Sequence, residues 1–504
     1  MLRQAQHDVL FSTSLDHLIR MKARLLAPFL PLALTTAPAA HARVVLPRVL
    51  GHGMVLQREK PVPIWGTAAP GEAVTVTFQG QQRQTAAAAD GRWQVQLAPL
   101  AASSAGAELL VRGTNEIRLQ GVLVGEVWLA SGQSNMEYTM RKNSKATVPP
   151  QPEPSPLTEL ERAHNPLIRI FLVNRKELSK PDSLHRGWSV AQDSALRAFS
   201  APAYFFAKEL QQRLGVPVGV ISSAVPGSRI EPWISEEAFR ADASYPQPVG
   251  GDPGKFYEPM IRPLQPFALR GLLWYQGESN CFLAETDAYT HKMRTLITSW
   301  RAGWQDAGLP FYFVQLAPFK YSESKDPKAV LTPETLPRFR EAQEAVLAQV
   351  PGTGLIVTTD LVTKLDDIHP PYKWEIGRRL AYLALARTYG RREVADSGPV
   401  FQRSRRKGRR VEISFQPLPG RLVSRDGQPL TGFTVAGADG VFVPAEARIK
   451  GRRVLVSAPG VARPAAVRFG WHEAAQPNLF SDRGLPARPF RTDKPATALT
   501  HAAR

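Results

Sequence analysis

Short alternating runs mark the first stretch of the chain. Val62-Pro63-Ile64-Trp65-Gly66, Ala73-Val74-Thr75-Val76-Thr77-Phe78 and Arg92-Trp93-Gln94-Val95-Gln96-Leu97 follow a period of two, with Ala69-Pro70-Gly71 and Ala89-Asp90-Gly91 as turn signals between them. That period belongs to half-buried strands. Residues 43–124 are therefore expected to form an all-β module, a small sandwich in which a second sheet covers exposed edges. From 125 the pattern changes. Strands are expected over 125–131, 167–173, 217–223, 269–275, 310–316 and 354–359, and helices over 202–214, 285–303, 335–349 and 373–389. Pro217-Val218-Gly219-Val220-Ile221-Ser222-Ser223 and Gly354-Leu355-Ile356-Val357-Thr358-Thr359 lack alternation. Unbroken runs of this kind suit parallel strands buried on both faces. The order βαβα implies a doubly wound α/β sheet over 125–392. Short strands return from 393, as in Arg410-Val411-Glu412-Ile413-Ser414-Phe415, Gly432-Phe433-Thr434-Val435-Ala436 and Arg453-Val454-Leu455-Val456-Ser457, giving a C-terminal β module over 393–504.

Composition refines this picture. A chain of 504 residues exceeds one core and suits two or three domains. Its formal charge is +19, read first as a basic, solvated surface, then as attraction to anionic glycans or envelopes. The densest basic run, Arg403 to Arg410, has no interleaved aromatics on which bases could stack and reads as a solvated hairpin, so no nucleic-acid partner is expected. Cys281 is the single cysteine, which rules out an intrachain disulfide and reads as a buried small residue.

Residues 1–42 read as a leader. Met21-Lys22-Ala23-Arg24 is a basic start, Leu25 to Leu34 a short apolar stretch, and Ala40-His41-Ala42 a small-x-small cleavage site. The apolar stretch is too short to span a bilayer. Translation starting at Met21, cleavage after Ala42 and a secreted or periplasmic mature chain are expected, with no integral membrane segment after cleavage.

Four strand-end motifs carry chemistry. Val127-Trp128-Leu129-Ala130-Ser131-Gly132-Gln133-Ser134 delivers a serine at the carboxyl edge of a strand, either as a helix cap or as a nucleophile. Asp366-Asp367-Ile368-His369, stiffened by Pro370-Pro371, supplies the base such a serine needs. Asp366 is expected to reach back and accept the Nδ1 proton, leaving Nε2 free, while Asp367 points elsewhere in most turn geometries. Trp274-Tyr275-Gln276-Gly277-Glu278-Ser279-Asn280 reads as a polar turn or as an oxyanion site, with Gln276 as donor, Asn280 as a weaker one, and Glu278 paired to a buried donor. In Ala224-Val225-Pro226-Gly227-Ser228-Arg229-Ile230-Glu231-Pro232-Trp233, Gly227 can bring a backbone N–H close to the site, and Arg229 and Trp233 could meet a sugar by charge and stacking. Open α/β sheets put their sites at this edge.

Together, Gly132-Gln133-Ser134-Asn135-Met136-Glu137, Trp274 to Asn280 and Asp366-Asp367-Ile368-His369-Pro370 before the Ile376-Gly377-Arg378-Arg379-Leu380-Ala381 helix resemble the sialate O-acetylesterases of the SGNH-hydrolase superfamily. Val467-Arg468-Phe469-Gly470-Trp471 and Pro489-Phe490-Arg491-Thr492-Asp493 extend the likeness over nearly the whole mature chain. Pro226 departs from it, standing where the family's first glycine of a pair would be.

The resemblance implies an SGNH-like doubly wound sheet flanked by β-sandwich-like modules, and a serine hydrolase that removes O-acetyl groups from carbohydrates without metal or organic cofactor. Ser134 would be nucleophile, His369 base and Asp366 its orienter. The backbone of Ser134, Gly227 and Gln276 would form the oxyanion hole, and Arg229, Trp233, Glu278 and Asn280 are candidate substrate contacts. Sialate is the first expected substrate. Acetylated xylan, an acetyl transferase and a non-catalytic glycan-binding protein are the alternatives, and the sequence leaves the oligomeric state open.

Overall fold

The computed structural model describes residues 43–174, 187–243, 245, 250–325 and 329–493. The expected leader lies outside them. Among the described residues six parallel strands form the central sheet: β1 (Glu116–Gly132), β2 (Ile168–Leu172), β3 (Val218–Ala224), β4 (Gly271–Tyr275), β5 (Phe311–Val314) and β6 (Thr353–Ile356). Their spatial order is β6-β5-β4-β1-β3-β2, with a short antiparallel strand, Ser189–Val190, beyond β2. The strands that follow β1 thus divide, β2 and β3 to one side and β4 to β6 to the other. A crevice opens at such a reversal, outside the carboxyl ends of the strands.

The longest strand, β1, joins two regions of the molecule. Residues 116–124 pair antiparallel with Ser103–Arg112, whereas residues 126–132 pair with β3. The boundary expected between 124 and 125 therefore falls inside one continuous strand. From Val122 to Gly132 every residue is buried, which suits the middle of a sheet covered on both faces. At the junction the carboxylate of Glu126 is buried, and it is held by Arg270 Nε at 2.7 Å, Arg58 Nε at 2.5 Å and Gln57 Nε2 at 3.1 Å. A buried charge needs this number of partners to offset lost hydration.

The N-terminal strands bear out the alternation in the sequence. In Arg92–Leu97 exposed and buried residues alternate strictly, and the strand pairs with Val62–Thr67. Ile64 and Val95 from that pair share one core with Val76 and Val111 from the facing sheet.

Helices α1 (Ser134–Glu137), α2 (Ala201–Leu214), α3 (Asp287–Gly303), α4 (Thr335–Gln349) and α5 (Lys373–Arg387) accompany the parallel sheet. Ser200 caps α2 by accepting the Ala203 N–H at 3.2 Å. α5 lies close against α2, because Gly377 has no side chain; a Cβ there would stand 2.6 Å from the Pro202 carbonyl oxygen.

The C-terminal region is antiparallel, and its Ile413, Val435, Val454, Val467 and Phe469 belong to a separate core. The basic run forms the expected exposed hairpin, Phe401–Lys407 with Arg410–Phe415. Three ion pairs tie this region to α4 and its start: Arg488 to Glu344, Arg491 to Glu341 and Arg468 to Glu334. Among the described residues, no helix is long and apolar enough to cross a membrane.

Candidate active site

β1 ends against its two neighbours. Gly132 is aligned with Ala224 of β3 and Tyr275 of β4, and its φ is +138°. A Cβ at this position would lie 2.1 Å from the Tyr275 carbonyl oxygen, so only glycine fits. Beyond it the chain turns at once into α1. Gln133 accepts the N–H groups of Met136 and Glu137 at 2.9 Å through its carbonyl, while its side-chain oxygen accepts those of Gly277 at 3.2 Å and Ser279 at 3.4 Å. The serine turn and the β4 exit loop are thereby fixed to each other. Ser134 is left half-buried at the carboxyl edge, in the first turn of α1, where helical N–H groups have no intrahelical acceptor.

His369 arrives from the exit of β6. That loop is pinned to α5 by the bidentate pair of Arg379 with Asp360, at 2.7 and 2.6 Å, and by Arg379 Nη1 donating to Val357 O at 2.7 Å. It delivers His369 Nε2 to 3.0 Å from Ser134 Oγ. The carboxylate beside the imidazole is Asp367, whose Oδ1 lies 3.5 Å from Nδ1 and accepts the His369 backbone N–H at 2.9 Å. This corrects the expectation for Asp366. An aspartate two residues ahead closes a tight side-chain turn on the backbone, and that turn brings Asp367 to the ring. Asp366 makes no hydrogen bond to His369; it is exposed and within electrostatic reach of Lys320.

Burial holds the His369 pKa below the ordinary histidine value, and the nearby Lys373 adds to this; Asp367 acts in the opposite sense. That shift favours the neutral ring, the state in which an imidazole nitrogen can take a proton.

The β3 exit loop supplies Gly227, exposed and with φ +70°; its carbonyl accepts Ser279 Oγ at 3.1 Å, and its N–H makes no hydrogen bond among the described residues. Gln276 does not match its expected role. Its amide is fully buried, and Nε2 donates to Ser228 O at 3.1 Å and Asn280 Oδ1 at 2.8 Å, so both N–H bonds are spent on scaffolding. Asn280 is also buried. It accepts the Ile230 N–H at 3.0 Å and donates to Glu231 at 3.3 Å and Glu285 at 3.1 Å. Trp233 cannot stack on a sugar, because its ring is buried against Phe256 and Trp274 and its Nε1 donates to Ser228 Oγ at 3.0 Å. Glu278 is buried too, and its partner is Asn135 Nδ2; burial raises its pKa. Of the expected substrate contacts only Arg229 remains partly exposed, leaning toward Gly251. Cys281 is buried and its thiol is pushed up by desolvation, which leaves it inert.

Two residues at the site were not singled out from the sequence. Asn135 is buried and binds Glu278, Lys373 and Ile368. Lys373 is fully buried at the start of α5, with its ammonium 4.7 Å from the centre of the Tyr138 ring. Burial pushes its pKa down to about 7. A lysine opening a helix is unfavourable with the helix dipole, and that oddity was the available signal.

Comparison with known proteins agrees with this architecture. Residues 124–386 match the family described as carbohydrate esterase, sialic acid-specific acetylesterase. The chain is 30% identical to human sialate O-acetylesterase over 416 residues, covering 74% of this chain and 76% of that protein. It is 29% identical to the Rattus norvegicus sialate O-acetylesterase over 419 residues, covering 69% of this chain and 74% of that one. The crystal structure of a carbohydrate acetylesterase from Xanthomonas citri superposes with a TM-score of 0.78 at 36% identity, covering 90% of this chain and 100% of that one.

Proposed function

The chain belongs to the sialic acid-specific acetylesterase family of carbohydrate esterases, which are carboxylic ester hydrolases, and on that premise we propose that it removes O-acetyl groups from carbohydrates, sialate first, through an acetyl-enzyme on Ser134. His369 is the general base and Asp367 the carboxylate that holds the imidazole with its proton on Nδ1. The observation that carries this reading is the 3.0 Å approach of His369 Nε2 to Ser134 Oγ at the carboxyl edge of β1.

In the proposed reaction His369 takes the Ser134 proton as Oγ attacks the acetyl carbonyl. The negative charge that develops on the carbonyl oxygen is met by the backbone N–H groups of Ser134 and Gly227, which point donors at the oxyanion before it forms. His369, now protonated, gives its proton to the departing sugar hydroxyl. The same nitrogen then activates water, which releases acetate and regenerates the serine. Secreted or periplasmic residence belongs to this proposal and rests on the leader-like sequence ending at Ala42. An exported chain beginning at Arg43 supports it, and an intact leader on that chain overturns it.

A pH-stat assay of acetate release from O-acetylated sialic acid, acetylated xylan and an aryl acetate tests the function. Ser134→Ala is expected to remove release from all three while the far-UV spectrum is retained. Unchanged turnover in that variant overturns the nucleophile. Release from xylan but not from sialic acid overturns the choice of sugar and leaves the chemistry standing.

A further inference from the structure

The Ser134–His369 contact joins two segments that are 235 residues apart in sequence. A second bond joins the same two segments. Asn135, next to the serine, donates from Nδ2 to the carbonyl of Ile368, next to the histidine, at 3.0 Å. The same Nδ2 donates to Glu278 Oε1, and Asn135 Oδ1 accepts from Lys373 Nζ. A side-chain amide has two N–H donors and one carbonyl oxygen. Each of these groups in Asn135 has a partner on a different segment: buried Glu278 of the β4 exit loop, the part-buried Ile368 carbonyl of the histidine loop, and buried Lys373 in the first turn of α5. The amide has one orientation. Turned over, its oxygen would face a carboxylate and a carbonyl, and its NH₂ would face an ammonium. Lys373 keeps N–H donors whether or not it is protonated, so its contact survives titration.

We propose that Asn135 is a positioning residue that sets the separation of Ser134 and His369, its amide tying the nucleophile's turn to the main chain directly before the base while Lys373 and Glu278 lock the amide's orientation. The inference rests on the reading of Ser134 and His369 as nucleophile and base. A small misplacement of reacting groups costs on the order of a hundredfold in rate, so the bond to Ile368 governs kcat rather than substrate affinity.

Asn135→Ala takes this partner from buried Glu278 and Lys373 as well as from the Ile368 carbonyl and is a poor test, since it can fail to fold. The double substitution N135D/E278Q is a better one. It exchanges donor and acceptor at the buried 135–278 contact, keeps an oxygen for Lys373, and replaces the bond to Ile368 by an oxygen that faces the Ile368 carbonyl. E278Q alone retains an oxygen for Asn135 and serves as the control. Rates are measured with an aryl acetate per active site titrated by a fluorophosphonate, and folding is followed by thermal melting. The double variant is expected to melt as a folded protein, with kcat reduced about thirtyfold or more and KM within about threefold; E278Q alone, which keeps the bond to Ile368, is expected to lose much less of kcat than the double variant. A folded double variant with kcat within about threefold of the parent overturns the positioning role, as does an equal loss of kcat in E278Q alone. Fluorophosphonate labelling that survives Ser134→Ala is a different failure, that of the nucleophile itself.

Discussion

Asp367 Oδ1 accepts the backbone N–H of His369 at 2.9 Å and stands 3.5 Å from Nδ1 of the same residue. One carboxylate thus fixes the turn and faces the ring. The contact is open: the Asp367 side chain is 58% exposed. Water competes for it, so its influence on the imidazole is weaker than that of a buried acid.

Asp367→Asn is expected to lower kcat for an aryl acetate by about ten- to a hundredfold, less than the loss of about four orders of magnitude seen for a fully buried orienting acid. Asp366→Asn is expected to stay within about threefold of the parent. Steady-state kinetics on the two variants decide between the neighbours. A larger loss in Asp366→Asn would mean that the working carboxylate is the one three residues before the histidine.

The pH profile follows from the direction of the histidine shift. In the proposed reaction His369 acts as base only when neutral, and burial together with Lys373 holds its pKa below the ordinary value. The acid limb of kcat/KM is therefore expected to have its midpoint below the usual histidine range. Lys373, at about 7, gains charge as the pH falls along that limb. Removing its charge in Lys373→Met makes imidazolium easier to form, so the limb moves to higher pH. Asp367→Asn removes a stabilising anion and moves it to lower pH. Opposite displacements in profiles of kcat/KM are the expected result, and a shared direction would exclude direct electrostatic control.

How far the sequence reached can be judged residue by residue. The long periodic elements were legible: the helix expected over 335–349 is α4, and five of the six expected strands fall within about two or three residues of β2 to β6. Ser134 and His369 were legible because strand ends in an open α/β sheet converge at one edge. Gln276, Asn280 and Trp233 were misread for a single reason. A polar or aromatic residue after a strand can face a ligand or hold the loop that carries one, and only burial separates the two. Asp366 and Asp367 differ by one position in a turn, and no periodic signal resolves that. β1 was cut at 124 because its alternating half and its fully buried half look like different elements, although one strand passes from an open sheet into a covered one.

Asn280 tests the scaffolding reading of the β4 exit loop. Its buried amide joins Ile230, Gln276, Glu231 and Glu285. Asn280→Ala leaves several of these groups unpaired, at about 1–3 kcal/mol for each orphaned group. A loss of about 2–4 kcal/mol in urea unfolding is expected, with KM for a small aryl acetate little changed. A folded variant of parental stability and a greatly raised KM would return Asn280 to the substrate.

Glu473 links the C-terminal region to the histidine loop. It is buried and accepts Ser322 N at 2.9 Å as well as the Ser322 hydroxyl, while its carbonyl accepts Phe319 N at 3.2 Å and its own N–H reaches Pro333 O at 2.8 Å. Between those anchor points, Lys320 N donates to Leu365 O at 3.1 Å, one residue before the Asp366–His369 run. A carboxylate accepting two bonds from one loop holds it more firmly than a neutral group would, since hydrogen bonds to charged groups are worth about 1.5–3 kcal/mol. Glu473→Ala is therefore expected to lower stability by about 2–3 kcal/mol and to reduce kcat per titrated site, as the backbone behind His369 loosens. Glu473→Gln, which keeps one acceptor oxygen, should recover part of both. Measuring kcat on fluorophosphonate-titrated enzyme separates lost folding from lost alignment. If kcat per site is parental in Glu473→Ala while stability falls, Glu473 holds the loop without reaching the base, and the C-terminal region supports the fold alone.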